Sequence, residues 1–337
     1  MWAVRKERTA AGLELVELPV PTVGDDEVLV RVEAASICGT DLHIYRWDEW
    51  AQRRIRPPLV IGHEFAGTIV ESRSAAHPVG ARVTGNPLIT CGRCDYCVTG
   101  RNNLCENRTM VGMTRPGAYA ELMSIPGASL IDLPQDLAPA KAALTEPAAT
   151  ALHAINRSLP FLARPLPECR CLVLGGGAIG MLAALLLKHH GARGTVVTEV
   201  NPKRRKAIET HAGAATLDPR EAAPQEGAFD FVIDAVGSKL TRVAALKAVR
   251  PGGVVMHVGL QDWESEIDMR KLTLAEISLL GAYTYATADL RAAVRLLHEG
   301  AFGNLDWIET RRLDEGPSAF ADIAKGNIAS AKVVLLP

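Results

Sequence analysis

Two textures divide the chain. Up to about residue 150, short apolar runs stand between glycines, prolines and polar residues. Val28 to Ala34 alternates in part, Phe65 to Val70 is a second such run, and Val79 to Val83 is a third. Many short strands with turn residues between them predict a β-rich domain, a partly open barrel. Beyond residue 150, strand-like runs alternate with helical stretches. Cys171 to Leu174 precedes a helix over Ala178 to His190, and Thr195 to Thr198 precedes one over Pro202 to Ala212. Phe229 to Ile233 precedes a helix around Leu240 to Val249, and Val254 to Val258 follows it. This rhythm predicts a parallel, doubly wound sheet, so the fold class is α/β with a second, β-rich domain. A helix near Asp289 to His298 and a final strand, Lys332 to Leu336, are expected to pack back on the first domain. The expected division gives residues 1–149 and 288–337 to the β-rich domain and residues 150–287 to the doubly wound one.

Composition narrows the class. A chain of 337 residues suits two domains with real cores. The net charge of −1 gives no reason to expect nucleic acid or an anionic membrane as partner. Cys171 to Leu187 is uncharged, but Gly175 to Gly177 interrupt it and it is short for a membrane span. No apolar segment of the secretory type follows Met1, so a cytoplasmic location is expected. Seven cysteines, an odd number with four clustered, point to metal ligation rather than a disulfide scaffold.

Gly175-Gly176-Gly177-Ala178-Ile179-Gly180 fits G-x-G-x-x-G between a buried strand and an apolar helix, the context a dinucleotide site requires. Gly175 permits the tight turn, Gly177 lets the backbone approach a pyrophosphate, and Gly180 lets the helix pack closely. Glu199, at the end of the next strand, is placed to accept hydrogen bonds from ribose hydroxyls and to repel a 2′-phosphate, which favours NAD over NADP. The run Lys203 to Lys206 argues the other way unless it is a solvated helix face behind an Asn201 cap, with Arg204 free to cover the adenine.

Cys91-x2-Cys94-x2-Cys97-x7-Cys105 is the most specific pattern in the chain. Four thiolates satisfy a tetrahedral zinc and leave no open position, so this site is expected to be structural; an iron–sulfur cluster is the runner-up. Cys38, His63 and Glu64 suggest a second, catalytic zinc with one open position. Glu146, before Pro147, is a candidate fourth or intermittent ligand, or else holds the water there. A Lewis-acidic ion favours the alkoxide of a bound alcohol near neutral pH and so hydride transfer to nicotinamide. The released proton needs a path outward, for which Thr40 and then His43 are suited, with Asp41 orienting a ligand histidine.

With Cys38-Gly39-Thr40-Asp41, Gly62-His63-Glu64, the cysteine quartet, Glu146-Pro147 and Gly175 to Gly180 in view, the chain resembles the zinc-dependent medium-chain alcohol dehydrogenases over essentially its full length. Glu64 and Glu146, with the stretch from Cys38 to Trp50, resemble the sorbitol and L-threonine 3-dehydrogenase branch. After Pro147, Ala148-Ala149-Thr150-Ala151-Leu152-His153 is closer to sorbitol-like and generic members. The resemblance implies a GroES-like catalytic domain beside a Rossmann domain, one catalytic and one structural zinc per chain, and a cleft for a small alcohol or ketone. It implies NAD contacts at Ile179, Glu199, Arg204, Val258, Gly259 and Leu260, and a proton relay at the positions of Thr40 and His43 with Glu146 assisting. It also implies a homodimer or homotetramer joined at sheet edges, with Leu279 to Tyr285 as the edge. The expected function is hydride transfer between a secondary alcohol, either a polyol or a β-hydroxy amino acid such as L-threonine, and NAD. The alternative from another class is a zinc- and NAD(H)-binding sensor or structural protein without turnover.

Overall fold

All residues, 1–337, are described in the structure, a computed structural model. The second half of the chain forms one parallel sheet in the order 215–217, 194–198, 170–174, 229–234, 249–257 and 278–281. Chain order reverses beside 170–174, which makes a doubly wound sheet with its crevice beyond the carboxyl ends of the strands 170–174 and 229–234. The strand Arg170–Leu174 is buried after its first residue, as a strand covered on both faces must be. Its Val173 lies opposite Val197 on one side and Ile233 on the other. The helix Ala178–His189 is buried from Gly180 through Leu187, which explains why that part carries no charge. The uncharged stretch from Cys171 is therefore a strand, a turn and a core helix. No helix is long and apolar enough to cross a membrane.

The first half is built around the strand Glu27–Ser36, which pairs with 64–72, 122–126 and 332–336 in a seven-stranded sheet. The third expected strand begins at Arg82, because Gly80 turns the chain with φ of 88°. The final strand, Lys332–Leu336, runs antiparallel to Glu27–Ser36, with Val334 opposite Ser36. At one edge of the six-stranded sheet lies the strand Ser278–Gly281, so of the expected edge segment Leu279 to Tyr285 only Leu279 to Gly281 is strand. Tyr285 leaves the sheet and is buried.

The helix Thr145–Ser158 spans the expected division at 149/150, and most of its residues are buried. Its alanines belong to a core that runs from Ala34 and Ala66 of the first sheet to Val173 and Met256 of the second. On its outer side His153 Nδ1 lies 2.7 Å from Asp289 Oδ2, and Asn156 donates to Asp289 Oδ1 at 2.9 Å. His153 is thus a packed residue that ties this helix to the start of Thr287–His298. Burial opposes the charge of Asp289, but the hydrogen bonds from His153 and Asn156 outweigh it and hold the pKa below the usual carboxylate value. A carboxylate depressed in the folded state stabilises above its unfolded pKa of about 4 and loses that contribution as pH falls through the lower folded value. Asp289→Asn should therefore lower the thermal midpoint at pH 7 by roughly 2–4 °C for each kcal/mol lost. The gap from the wild type should narrow below about pH 4. Calorimetry across pH 3–7 checks this, and a gap independent of pH would contradict it.

Candidate active site

Cys38 caps the short helix Gly39–Arg46, and the Asp41 side chain accepts the Cys38 N–H at 3.0 Å, so the helix start fixes both residues together. Asp41 also receives the hydroxyl of buried Tyr119, which donates to the Ser36 carbonyl as well. The other Asp41 oxygen lies 3.5 Å from His63 Nδ1, leaving Nε2 as the ring nitrogen free for an ion. Gly62 just before it has φ of 96°, and a Cβ there would stand 2.7 Å from the Tyr119 ring. Only glycine lets the chain turn so close beneath that ring. Ligand atoms of Cys38, His63 and Glu64 lie within 4.8 Å of one another. Burial works against charge on His63, but Asp41 and Cys38 outweigh it and hold the pKa well above the usual histidine value.

Glu64 shows why an ion fits. One of its oxygens is held by the Ser36 hydroxyl and the Lys332 ammonium, all three side chains being buried. Register explains the contact: Ser36 is the cross-strand neighbour of both Glu64 and Val334. The other oxygen, Oε1, is buried without any partner. A sulfur, a nitrogen and an unpaired carboxylate oxygen converge there, which suits zinc with one position left open. Glu146, at the start of Thr145–Ser158, is buried beside them. Its pKa is raised to about 7, by burial first and then by the charge of Glu64.

Thr40 and His43 lie on the same helix as Asp41, both partly exposed. His43 Nδ1 meets the Asp48 carboxylate, and its ring lies 5.7 Å from that of Trp50. Asp48 is itself fixed as the cap of Glu49–Arg54, accepting the Ala51 N–H at 3.1 Å.

Ligand sulfurs of Cys91, Cys94, Cys97 and Cys105 also lie within 4.8 Å of one another, and all seven cysteines are free thiols. Gly92 and Gly100 turn the loop with φ of 70° and 78°. The amides of Arg93 and Cys94 draw Cys91 down to about 6, whereas burial and neighbouring thiols push Cys97 up to about 11. The sulfurs differ because the loop's N–H groups converge on Cys91.

At the glycine turn, Gly175 has φ of 96° and a Cβ on Gly180 would stand 1.8 Å from its carbonyl oxygen. Gly177 faces open space, so a phosphate can approach its backbone at the helix start. Ile179 lies in the first turn of that helix. Glu199 follows the strand Gly194–Thr198, and its carboxylate accepts the N–H of Gly176 at 2.9 Å and of Asn201 at 2.8 Å. Asn201 caps the next helix as expected, but the basic run is only half solvated. Arg205 turns inward to the carbonyls of Glu199 and Val200 and to Asp218. Arg204 is also turned in, with its Nε buried and unpaired. Val258, Gly259 and Leu260 follow the strand Val249–His257, and the N–H groups of the first two donate to the Asp234 carbonyl.

The chain matches the alcohol dehydrogenase GroES-like domain over residues 24–135 and the zinc-binding dehydrogenase domain over residues 178–299. It is 35% identical to an L-threonine 3-dehydrogenase of Rhizobium etli over 99% of this chain and 98% of that protein. It is 33% identical to another of Legionella pneumophila over 99% of both. A zinc-binding dehydrogenase from Sinorhizobium meliloti bound to NADP superposes with a TM-score of 0.88 and 32% identity, covering 100% of this chain and 99% of that one. The chain belongs to the zinc-dependent medium-chain alcohol dehydrogenase family. Acetophenone reductase from Geotrichum candidum, in complex with NAD, superposes as well, with a TM-score of 0.88 and 28% identity over 100% of this chain and 97% of that one. Membership makes this a zinc-dependent, NAD(P)-linked alcohol oxidoreductase, and a binding protein without turnover is not favoured.

Several residues of this dehydrogenase's site carried no signal that spacing alone could reveal. Lys332 opens the expected final strand, Ser36 and Tyr119 stand in no motif, and Asp48 enters only as part of the stretch from Cys38 to Trp50. Only pairing across distant strands gives Lys332 its role, since burial opposes its charge while Glu64 and Cys38 outweigh that and raise its pKa. Removing one member of a buried ion pair typically costs about 3–5 kcal/mol. Lys332→Met should show a loss of that order in urea unfolding, together with weaker metal retention. A variant with wild-type stability would remove Lys332 as the counter-ion of Glu64.

Proposed function

We propose that this dehydrogenase oxidises a secondary alcohol with NAD, the substrate class being a β-hydroxy amino acid such as L-threonine. The convergence of Cys38, His63 and the unpaired Glu64 oxygen carries this reading, because it supplies three donors and an open position. When bound there, zinc supplies the Lewis acidity that lowers the pKa of an alcohol. Thr40 is suited to accept the substrate hydroxyl's hydrogen bond, and His43, held by Asp48, to pass the proton to water. Glu146, at about 7, can hold or yield a proton near neutral pH. The thiolate quartet takes a second, structural zinc.

NAD rather than NADP is supported by Glu199, already anchored by two backbone N–H groups where a ribose would lie. Asp218 engages both Arg205 and Arg220, which leaves fewer free cations for a 2′-phosphate. Ile179, Arg204 and the turn Val258 to Leu260 complete the proposed cofactor contacts, with residues 150–287 as the cofactor domain and residues 1–149 with 288–337 as the catalytic one. A homodimer or homotetramer joined at the edge strand Ser278–Gly281 is supported by exposed Leu274, Leu279 and Tyr283 nearby. A cytoplasmic location suits a quartet that must stay reduced. L-Threonine is favoured by the names of the full-length relatives. A polyol remains the second reading, because the helix after Glu146 carries small Ala148 and Ala149.

Formation of NADH with threonine, sorbitol, xylitol and butane-2,3-diol, with NAD and NADP in parallel, tests the substrate class. The expected result is turnover of threonine with NAD, and a panel in which only polyols react would move the assignment to them. Cys38→Ser should keep one zinc of two and lose nearly all turnover; both metals and full activity in that variant would show the centre to be misassigned. Glu199→Ala should narrow the preference for NAD over NADP, and an unchanged ratio would remove Glu199 as its cause.

A further inference from the structure

Trp263 is largely exposed, yet it stands on a fixed arm of chain. The arm follows the strand 249–257 and lies against the turn after 229–234, on the side of the sheet where the crevice opens. The Gln261 N–H donates to the Val236 carbonyl at 3.1 Å, and the Asp262 N–H to that of Gly237 at 3.0 Å. The Asp262 carboxylate accepts the Lys239 N–H at 2.7 Å. Arg242, from the helix Lys239–Ala248, donates to the Asp262 carbonyl and, at 3.2 Å, to the Ser265 hydroxyl, so it grips the chain on both sides of Trp263. What the indole meets belongs to the other half of the molecule. The Arg53 guanidinium lies 5.5 Å from the centre of the Trp263 ring and that of Arg54 5.6 Å. Arg54 also lies 5.3 Å over Trp50, whose ring is 5.7 Å from that of His43. A guanidinium is attracted to the negative face of an indole even where water reaches the pair.

We infer that Trp263, Arg53 and Arg54 form a clasp across the mouth of the cofactor crevice, which holds the arm after the strand 249–257 against the helix Glu49–Arg54 and slows the departure of a bound dinucleotide. All three are positioning residues, since none is placed at the reacting atoms. The clasp joins two functional sides. Its arm continues the turn Val258 to Leu260, and its helix carries Trp50 beside His43. A ligand leaves such a crevice as the walls part, and each contact between the walls adds to the barrier for release.

This inference rests on the reading of the crevice, with Glu199 beside it, as the seat of NAD, and the experiment separates the two. NADH is bound to the full chain, a large excess of NAD is added, and loss of the bound NADH fluorescence is followed in time. Glu199→Ala comes first and should quicken release. Unchanged binding and release in that variant would defeat the reading of the crevice and the inference with it. Trp263→Ala should then release NADH about fivefold faster, and Arg54→Met about threefold faster. The double variant should match Trp263→Ala alone, because both substitutions remove one contact. Trp263→Tyr keeps an aromatic face and should stay within about twofold of the wild type. Thermal midpoints should not move, because these side chains are exposed. Wild-type release from Trp263→Ala would overturn the inference, as would effects that multiply in the double variant. So would a Trp263→Tyr variant as fast as Trp263→Ala, or faster release that tracks a fall in thermal midpoint.

Discussion

A carboxylate taken out of water stays charged only if something pays for its lost hydration, and Glu64 is buried almost completely. Ser36 and Lys332 meet one oxygen, and the other is left for an ion. Ser36 arrives from the long strand at the centre of the first sheet, and Lys332 from the last strand of the chain. The final strand must therefore return to the first domain for an electrostatic reason as well as to complete the sheet. Charge and topology constrain each other: the strand order brings in the cation, and the cation lets the carboxylate face inward.

The cofactor side obeys a different constraint, that of close approach. Its turns carry glycine where backbones nearly touch. A Cβ on Gly259 would stand 2.1 Å from the Val236 carbonyl carbon, much as one on Gly180 would strike Gly175. Asp234 organises that meeting from within, its carboxylate accepting the N–H groups of Val236 and Gly237 and the hydroxyl of Thr241. The segment after the strand 249–257 thus rests on the turn after the strand 229–234. A ligand in the crevice meets backbone whose position is set by short contacts rather than by long side chains.

Legibility in the sequence followed locality. The quartet lies within fifteen residues, and its spacing could be read directly. The glycine turn, the strand before it and the helix after it were equally plain, because a buried strand and a buried helix leave unbroken apolar runs. The final strand was anticipated to the residue, and so was the helix Pro202–Ala212. What escaped was relational. Asp48 caps a short helix with one oxygen and holds His43 with the other, and neither role shows in the stretch it belongs to. Arg204 and Arg205 look like members of a solvated basic run, but a carboxylate at Asp218 and nearby carbonyls turn Arg205 inward. Tyr285 sits in the segment expected as an edge strand, and nothing in that segment foretells a fully buried tyrosine.

The two candidate ion sites therefore differ in what holds them. The quartet inherits its shape from one loop and the glycines that bend it. The second centre draws on Cys38, His63 and Glu64, on Glu146 at a helix start and on Lys332 at the far end of the chain. Its geometry depends on register. A slip of one residue between the strands 27–36 and 332–336 would turn Lys332 to the opposite face of the sheet and leave Glu64 without its cation. Val333, Val334 and Leu335 are buried on both faces of that strand, so alternation alone does not set its register; the backbone pairing of Val334 with Ser36 and Leu335 with Ala35, and the packing around them, must hold it. Strand pairing far from the donors thus helps set the charge balance around them, and a core substitution in the last strand reaches Glu64 through Lys332.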